Sequence, residues 1–177
     1  MKPALIALPL ALAASTPAVA SSTVDYFGYV GIDGALMSLE EPIGDTIEPA
    51  NLRLRLGGRI APLIDLEGHF AFTIDSDDKY GAEWSTSIAA GFLKGYLPLG
   101  RYSSFYGLVG LSSITVVETV NRVDYYDDDI WGLAYGVGIE TVLSERVDLS
   151  LDWVQYLHDD EVYDGLSAVA FGFKVYF

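Results

Sequence analysis

The sequence predicts an all-β protein: a closed, eight-stranded, antiparallel up-and-down barrel that crosses a membrane, preceded by an N-terminal signal peptide. Three observations predict it. First, the ending alternates without a break, with Val169, Phe171, Phe173, Val175 and Phe177 on one parity and Ala170, Gly172, Lys174 and Tyr176 on the other. Successive side chains of a strand point to opposite faces, so a face this apolar must meet lipid or a core. Second, the chain is 51% hydrophobic with a mean hydropathy of +0.30, yet its formal net charge is −15. The two values coexist when apolar residues are dispersed by alternation rather than gathered in runs, as in a barrel bathed in lipid. Third, eight strand-like segments are joined by connections that are long and short in turn. An even number of antiparallel strands brings both termini to one side, and closure removes exposed edges.

At 177 residues the chain suits one domain. Residues 1–20 read as a signal peptide: Met1 and Lys2 make a positive start, Ala4 to Ala14 an apolar run, and Ala18-Val19-Ala20 a small-x-small site cut between Ala20 and Ser21. The run is shorter than the roughly 20 residues a spanning helix requires. The barrel domain is then 21–177. The chain has no cysteine, so disulfides and thiolate metal sites are excluded.

The first strand is expected over Val24–Met37, with Val30, Ile32 and Leu36 on one side and Asp25, Phe27, Tyr29, Gly31 and Asp33 inward. A loop, Ser38–Asn51, holds Glu40, Glu41, Asp45 and Glu48 with Pro42 and Pro49. The second strand, Leu52–Ile60, sets Leu52, Leu54, Leu56 and Ile60 against Arg53, Arg55 and Arg59. An arginine facing lipid near the midplane costs roughly 2 to 4 kcal/mol, so the three arginines belong inside. After a turn at Ala61–Ile64, the third strand, Asp65–Ile74, turns Leu66, Phe70, Phe72 and Ile74 outward and Asp65, Glu67 and His69 inward. In a hairpin those acids lie opposite the arginines.

The second loop, Asp75–Glu83, carries four acids and Lys79. The fourth strand, Trp84–Leu97, is oriented by Lys94, which belongs inside with Phe92 and Tyr96, leaving Ala89, Leu93 and Leu97 outward. Pro98-Leu99-Gly100 makes a turn. The fifth strand, Phe105–Val117, is apolar on both parities, and the pattern does not orient it. A third loop, Glu118–Asp129, ends in Asp124-Tyr125-Tyr126-Asp127-Asp128-Asp129. The sixth strand, Ile130–Val142, turns Trp131, Leu133, Tyr135, Val137 and Ile139 outward and Gly132, Ala134, Gly136, Gly138 and Glu140 inward, where the small residues leave room for neighbours such as the arginines. The seventh, Val147–Tyr156, follows a turn at Leu143–Arg146 and turns Asp148, Ser150 and Asp152 inward. A last loop, Leu157–Asp164, precedes the closing strand.

The four long connections hold 17 acidic and 2 basic side chains, against 8 acidic and 7 basic in the rest of the mature chain. The acidity is therefore in the loops, placed outside, while the interior is near neutrality. A narrow eight-stranded barrel demands that balance, since side chains rather than water fill it. Nucleic acid is excluded as a partner by the charge.

With these segments in place, the mature chain resembles the small eight-stranded outer-membrane barrel family that includes the barrel of outer membrane protein A and the OmpX-type proteins. The resemblance rests on Tyr135-Gly136-Val137-Gly138-Ile139-Glu140, Leu149-Ser150-Leu151-Asp152-Trp153 and the ending Phe171 to Phe177. It implies a monomer in the Gram-negative outer membrane, among lipid and lipopolysaccharide. Periplasmic chaperones would deliver it, and the barrel-assembly machinery would read Phe173, Val175 and Phe177. It also implies that Glu140 joins an interior ion-pair network. The family's inward arginine on the seventh strand is replaced by Ser150, so Arg53, Arg55 and Arg59 are expected to complete the network.

The interior cluster of Arg53, Arg55, Arg59, Asp65, Glu67, His69, Lys94, Glu140, Asp148, Asp152 and Lys174 reads as a plug of mutually neutralising side chains, with a narrow solute channel as the alternative. His69 lacks a second inward histidine for a metal site. His158 beside Asp159 and Asp160, with Asp75 and Asp77, would suit proteolysis, and Ser85 or Ser87 a lipid-modifying reaction; no base is placed to serve either serine. Asp124–Asp129 and His158–Glu161 attract divalent cations without an ordered ligand spacing. Trp84, Tyr125, Tyr126, Trp131, Trp153, Tyr156 and Tyr163 read as interfacial girdles. The expected protein is a non-enzymatic outer-membrane barrel, with no cofactor and a role in envelope structure or surface interaction.

Overall fold

The computed structural model describes residues 28–40, 46–47, 50–75, 77–79, 82–120, 123–158 and 165–177. Ten strands follow in chain order: β1 (Gly28–Glu40), β2 (Thr46–Ile47), β3 (Ala50–Ala61), β4 (Ile64–Asp75), β5 (Asp77–Lys79), β6 (Ala82–Pro98), β7 (Ser103–Val120), β8 (Val123–Ser144), β9 (Val147–His158) and β10 (Gly165–Tyr176). β2 and β5 are short additions at the long-loop end, on β1 and β6. The other eight form one antiparallel meander, each paired with its neighbour in the chain, and β10 pairs with β1 to close it. No helix occurs among the described residues.

Closure runs in register from Tyr29 opposite Tyr176 to Glu40 opposite Gly165, and the Phe177 amide donates to the Gly28 carbonyl at 3.1 Å. The alternation expected from the sequence sets the two faces. Val30, Ile32, Leu54, Leu56, Leu66, Phe70, Phe72, Leu93, Leu97, Val137, Ile139, Leu151, Val169, Phe171, Phe173 and Val175 all turn outward. Trp131 and Leu133 also turn outward and are more exposed still, at 74% and 71%. The fifth strand of the barrel, left unoriented by its pattern, buries Tyr106, Leu108, Ser112 and Ile114 and turns Phe105, Val109 and Leu111 out.

Strand boundaries differ from expectation at several places. Backbone pairing carries β7 and β8 past the barrel to Val120 opposite Val123, so most of the expected third loop, with Asp124–Asp129, is strand. Alternation cannot mark this, because a ladder outside the membrane has no lipid face to enforce a pattern. β3 begins at Ala50, which brings Asn51 into the interior rather than a loop. β9 continues to His158, and a register shift opposite Leu166 and Ser167 lets both Tyr156 and Leu157 point inward. β6 includes Pro98, so the next turn starts one residue late. Val24–Phe27 and the signal peptide with its Ala20–Ser21 cleavage site lie outside the described residues. In the short Pro62-Leu63 turn, Leu63 adopts φ +66°, a left-handed conformation that ordinarily favours glycine.

Candidate functional site

Among the described residues the barrel interior gathers the buried ionisable side chains, arranged as two charge clusters beneath an apolar cap. Next to the long-loop end, Met37, Ile88, Ile114, Ile130, Val154, Leu157 and Leu166 form a buried apolar cap. The alternation pattern alone does not predict this cap. It went unseen because four of these residues come from the unoriented strand and the loop margins: Ile114, Ile130, Leu157 and Leu166. A small polar group breaks the cap, with Asn51 Nδ2 donating to Thr86 Oγ1 at 3.2 Å and Thr86 Oγ1 lying 3.1 Å from Thr73 Oγ1.

Below the cap lies an upper charge cluster. Arg53 donates Nε to Asp33 at 2.9 Å, and holds Asp152 with two bonds, Nη1 to Oδ1 at 2.9 Å and Nη2 to Oδ2 at 2.8 Å. The fork matches the carboxylate geometry, which makes such pairs both strong and directional. Arg55 Nη2 donates to Asp33 Oδ1 and Ser150 Oγ, each at 2.6 Å, while its Nε and Nη1 find no partner among the described residues. Tyr106 donates to Asp152 Oδ2 at 2.8 Å.

A lower cluster fills the short-turn end. Glu67 accepts from Lys94 Nζ at 3.2 Å and from the Tyr29 hydroxyl. Glu140 lies 2.7 Å from Lys174 Nζ and 3.4 Å from Lys94 Nζ, and Asp148 lies 3.8 Å from Lys174. Aromatic faces enclose both ammonium groups: Lys94 Nζ stands 3.9 Å from the Tyr106 ring centre, and Lys174 Nζ 4.6 Å from that of Tyr29. At the rim, Arg59 Nε meets Asp65 at 2.9 Å, and Tyr96 donates to the other Asp65 oxygen at 2.7 Å.

These distances place the residues of the expected interior cluster at the lumen, with Arg59 at its rim, and revise who pairs with whom. Only Arg59 and Asp65 face each other across the β3–β4 hairpin; Arg53 stands opposite Ala71 and Arg55 opposite His69. Arg59 is a rim residue with half its side chain exposed, because β3 bulges beside its turn and lifts it clear of the packed interior. Lysines, not arginines, complete the pairing of Glu140, and Ser150 accepts from Arg55 where the family carries an arginine. Space left by Gly138 is taken by the Tyr106 ring and Asp152 rather than by an arginine: an added Cβ would come within 2.5 and 2.7 Å of them. Tyr156 is fully buried inside, not at an interface, because the β9 register keeps it on the inward parity. Asp33, Tyr29, Tyr106 and Tyr156 belong to the networks although the expected cluster omitted them. The signal for Asp33 was available, since it is an acid on an inward parity directly opposite Arg53.

For the rival chemistries, Ser85 and Ser87 lie on the outward parity of β6 while His69 is inside the barrel. Asp159, Asp160 and Glu161 lie outside the described residues. Among the described residues, no group of three His, Cys, Asp or Glu side chains converges on a metal position. The described interior is thus a set of satisfied or enclosed ion pairs beneath an apolar lid.

Comparison with known proteins agrees with this architecture. The family model described as the outer membrane protein beta-barrel domain matches residues 6–177. No curated protein sequence matches the chain. Among solved structures, neisserial surface protein A is 15% identical with a TM-score of 0.73, covering 85% of this chain and 97% of its own. Ail, the attachment invasion locus protein of Yersinia pestis, is 14% identical with a TM-score of 0.66, covering 87% of this chain and 100% of its own. The outer membrane protein OprG from Pseudomonas aeruginosa is 16% identical with a TM-score of 0.59, covering 86% and 97%. Identities this low speak for the fold, and the family match for membership: the chain is an outer-membrane protein of the β-barrel domain family.

Proposed function

We propose that this protein is a non-enzymatic outer-membrane barrel that works at the cell surface through its acidic loops, with the interior serving as a structural plug. One observation carries the reading: from the apolar cap to Lys174 the described inward side chains are buried, and their buried nitrogens and oxygens are bonded except Arg55 Nε and Nη1 and Asn51 Oδ1, which leaves little to offer a solute. The chemistry left for an external partner is that of the long connections, with 17 acidic and 2 basic side chains. The Yersinia pestis protein of similar fold is named for attachment and invasion, and one of its structures holds a heparin analogue, sucrose octasulfate. A polyanion of that kind would be repelled by these loops, so the partner class that fits is cationic: a basic protein surface, or divalent ions bridging the loops to lipopolysaccharide phosphates. Lipid surrounds the barrel, and the closing strand with outward Phe173, Val175 and Phe177 is the segment for the assembly machinery to take. A chain lacking Phe177 that assembled at the normal rate would remove that role.

Cells displaying the protein should bind a surface coated with a basic protein several-fold better than cells displaying a variant with Asp124, Asp127, Asp128 and Asp129 replaced by Asn. Equal binding would overturn the surface reading. A second reading, a narrow channel, is favoured by the position of Lys94 between Glu67 and Glu140, 3.2 and 3.4 Å away, where an exchange of partners needs little motion. Discrete openings in planar bilayers that change in Lys94→Met would move the assignment there.

A further inference from the structure

Side-chain hydrogen bonds join the two charge clusters through His69, while the Lys94 ammonium of the lower cluster also rests against the Tyr106 ring of the upper one. Among the hydrogen bonds of the described side chains, His69 alone spans them: its Nε2 lies 2.9 Å from Glu67 Oε1 in the lower cluster, and its Nδ1 lies 2.9 Å from the Tyr156 hydroxyl, which is 3.3 Å from Arg53 Nη1 in the upper one. β4 and β9 are not neighbours in the barrel order, so the His69–Tyr156 bond crosses the lumen.

Donor and acceptor capacity fixes the direction of this chain. A carboxylate only accepts and a guanidinium only donates. Nε2 therefore carries a proton and gives it to Glu67, while Arg53 donates to the Tyr156 oxygen. The Tyr156 hydroxyl then spends its own proton on Nδ1, which must be bare. All four groups are satisfied by a single species, the neutral imidazole with its proton on Nε2.

We propose that His69 is an acid-sensitive coupling between the two halves of the interior: neutral, it ties them into one hydrogen-bonded network across the lumen, and protonated, it opens that network. A proton on Nδ1 would leave Tyr156 facing two donors, with no acceptor for its own hydroxyl proton. The surroundings decide which bond fails. Arg53 and Arg55 face the ring from β3, Arg55 directly opposite in register. Phe92 packs on it from β6 with ring centres 4.6 Å apart, and Ala90 is its register partner there. β9 presents Tyr156 together with Asp152, and β4 itself supplies Glu67. Glu67 is already held by Lys94 and Asp152 by Arg53, so each keeps its own cation and the link breaks at Tyr156. Acid thus removes the cross-lumen tie, and resistance to unfolding falls as pH falls.

The test is imidazole nitrogen resonance in the full-length, ¹⁵N-labelled barrel in lipid nanodiscs, with the signal identified by its loss in His69→Gln. At neutral pH the expected pattern is a protonated Nε2 and a bare Nδ1; acidification should convert it to imidazolium over the same range in which the urea midpoint of unfolding drops. The His69→Gln amide offers an NH₂ group to donate to Glu67 and a carbonyl to accept from Tyr156, so that variant should keep the neutral midpoint and lose the acid step. A proton on Nδ1 at neutral pH, or an acid step of equal size in His69→Gln, overturns the proposal. Should His69→Gln fail to assemble, Tyr156→Phe takes its place: it lacks the link at every pH, so its neutral midpoint should already be lower and its acid step smaller than in the unsubstituted protein, and an undiminished step there is equally fatal.

Discussion

The apolar cap and the charged levels beneath it occupy the same lumen, on the same strands, yet they are held by different forces and fail in different ways. In the cap, each of Met37, Ile114, Val154 and Leu166 contributes by contact with whichever apolar neighbour fills the space, so the interaction is not directional. In the charged levels, Arg53 has assigned partners at assigned atoms, and losing one leaves a buried charge behind. The cap tolerates exchange of one apolar side chain for another of like volume; the charged levels tolerate almost none. The difference teaches that an interior can be sealed at one end by shape and locked at the other by geometry.

Four substitutions and one double change sharpen that contrast, each measured as the urea midpoint of the refolded barrel. The largest loss is expected for Arg53→Met, which strips Asp33 and Asp152 of their shared cation and should cost about 3 to 5 kcal/mol. A loss below 1 kcal/mol would mean that the cluster is not the lock described. Ile114→Ala empties part of the cap and should cost about 2 to 5 kcal/mol, with the upper half of that range expected only if the surrounding side chains fail to collapse into the space. Ile114→Leu should be nearly silent, and if it is as harmful as Ile114→Ala, the cap is a jigsaw rather than a seal. Lys174→Met should cost less, about 1 to 3 kcal/mol, because Lys94 remains 3.4 Å from Glu140. Combined with Glu140→Gln it should cost less than the two changes added together.

Much of this molecule was legible in residue order. The inward parity of Arg53, Arg55, Glu67, Lys94 and Glu140 followed from alternation, because a charge facing lipid is expensive enough to override every local preference. Parity, however, states only that a side chain points inward. It does not say which of the inward groups on seven other strands it will meet, and so the partners of Arg53 and Glu140 were misjudged. The fifth strand shows the same limit from the other side. Its two faces are alike in polarity, and Tyr106 and Ile114 became interior residues only when pairing with β6 and β8 fixed the register.

By itself, then, the sequence determined the fold class, the number and order of the spanning strands, the outward face of nearly all of them, and the concentration of acid in the long connections. Those are properties of each segment against its solvent, and they are written in a period of two. The tertiary structure alone decided the apolar cap, the division of the charges into two clusters, the burial of Tyr156 and the bridging position of His69. Each of these depends on the shear between strands and on what stands across the lumen, relations between distant segments that no single stretch of chain contains.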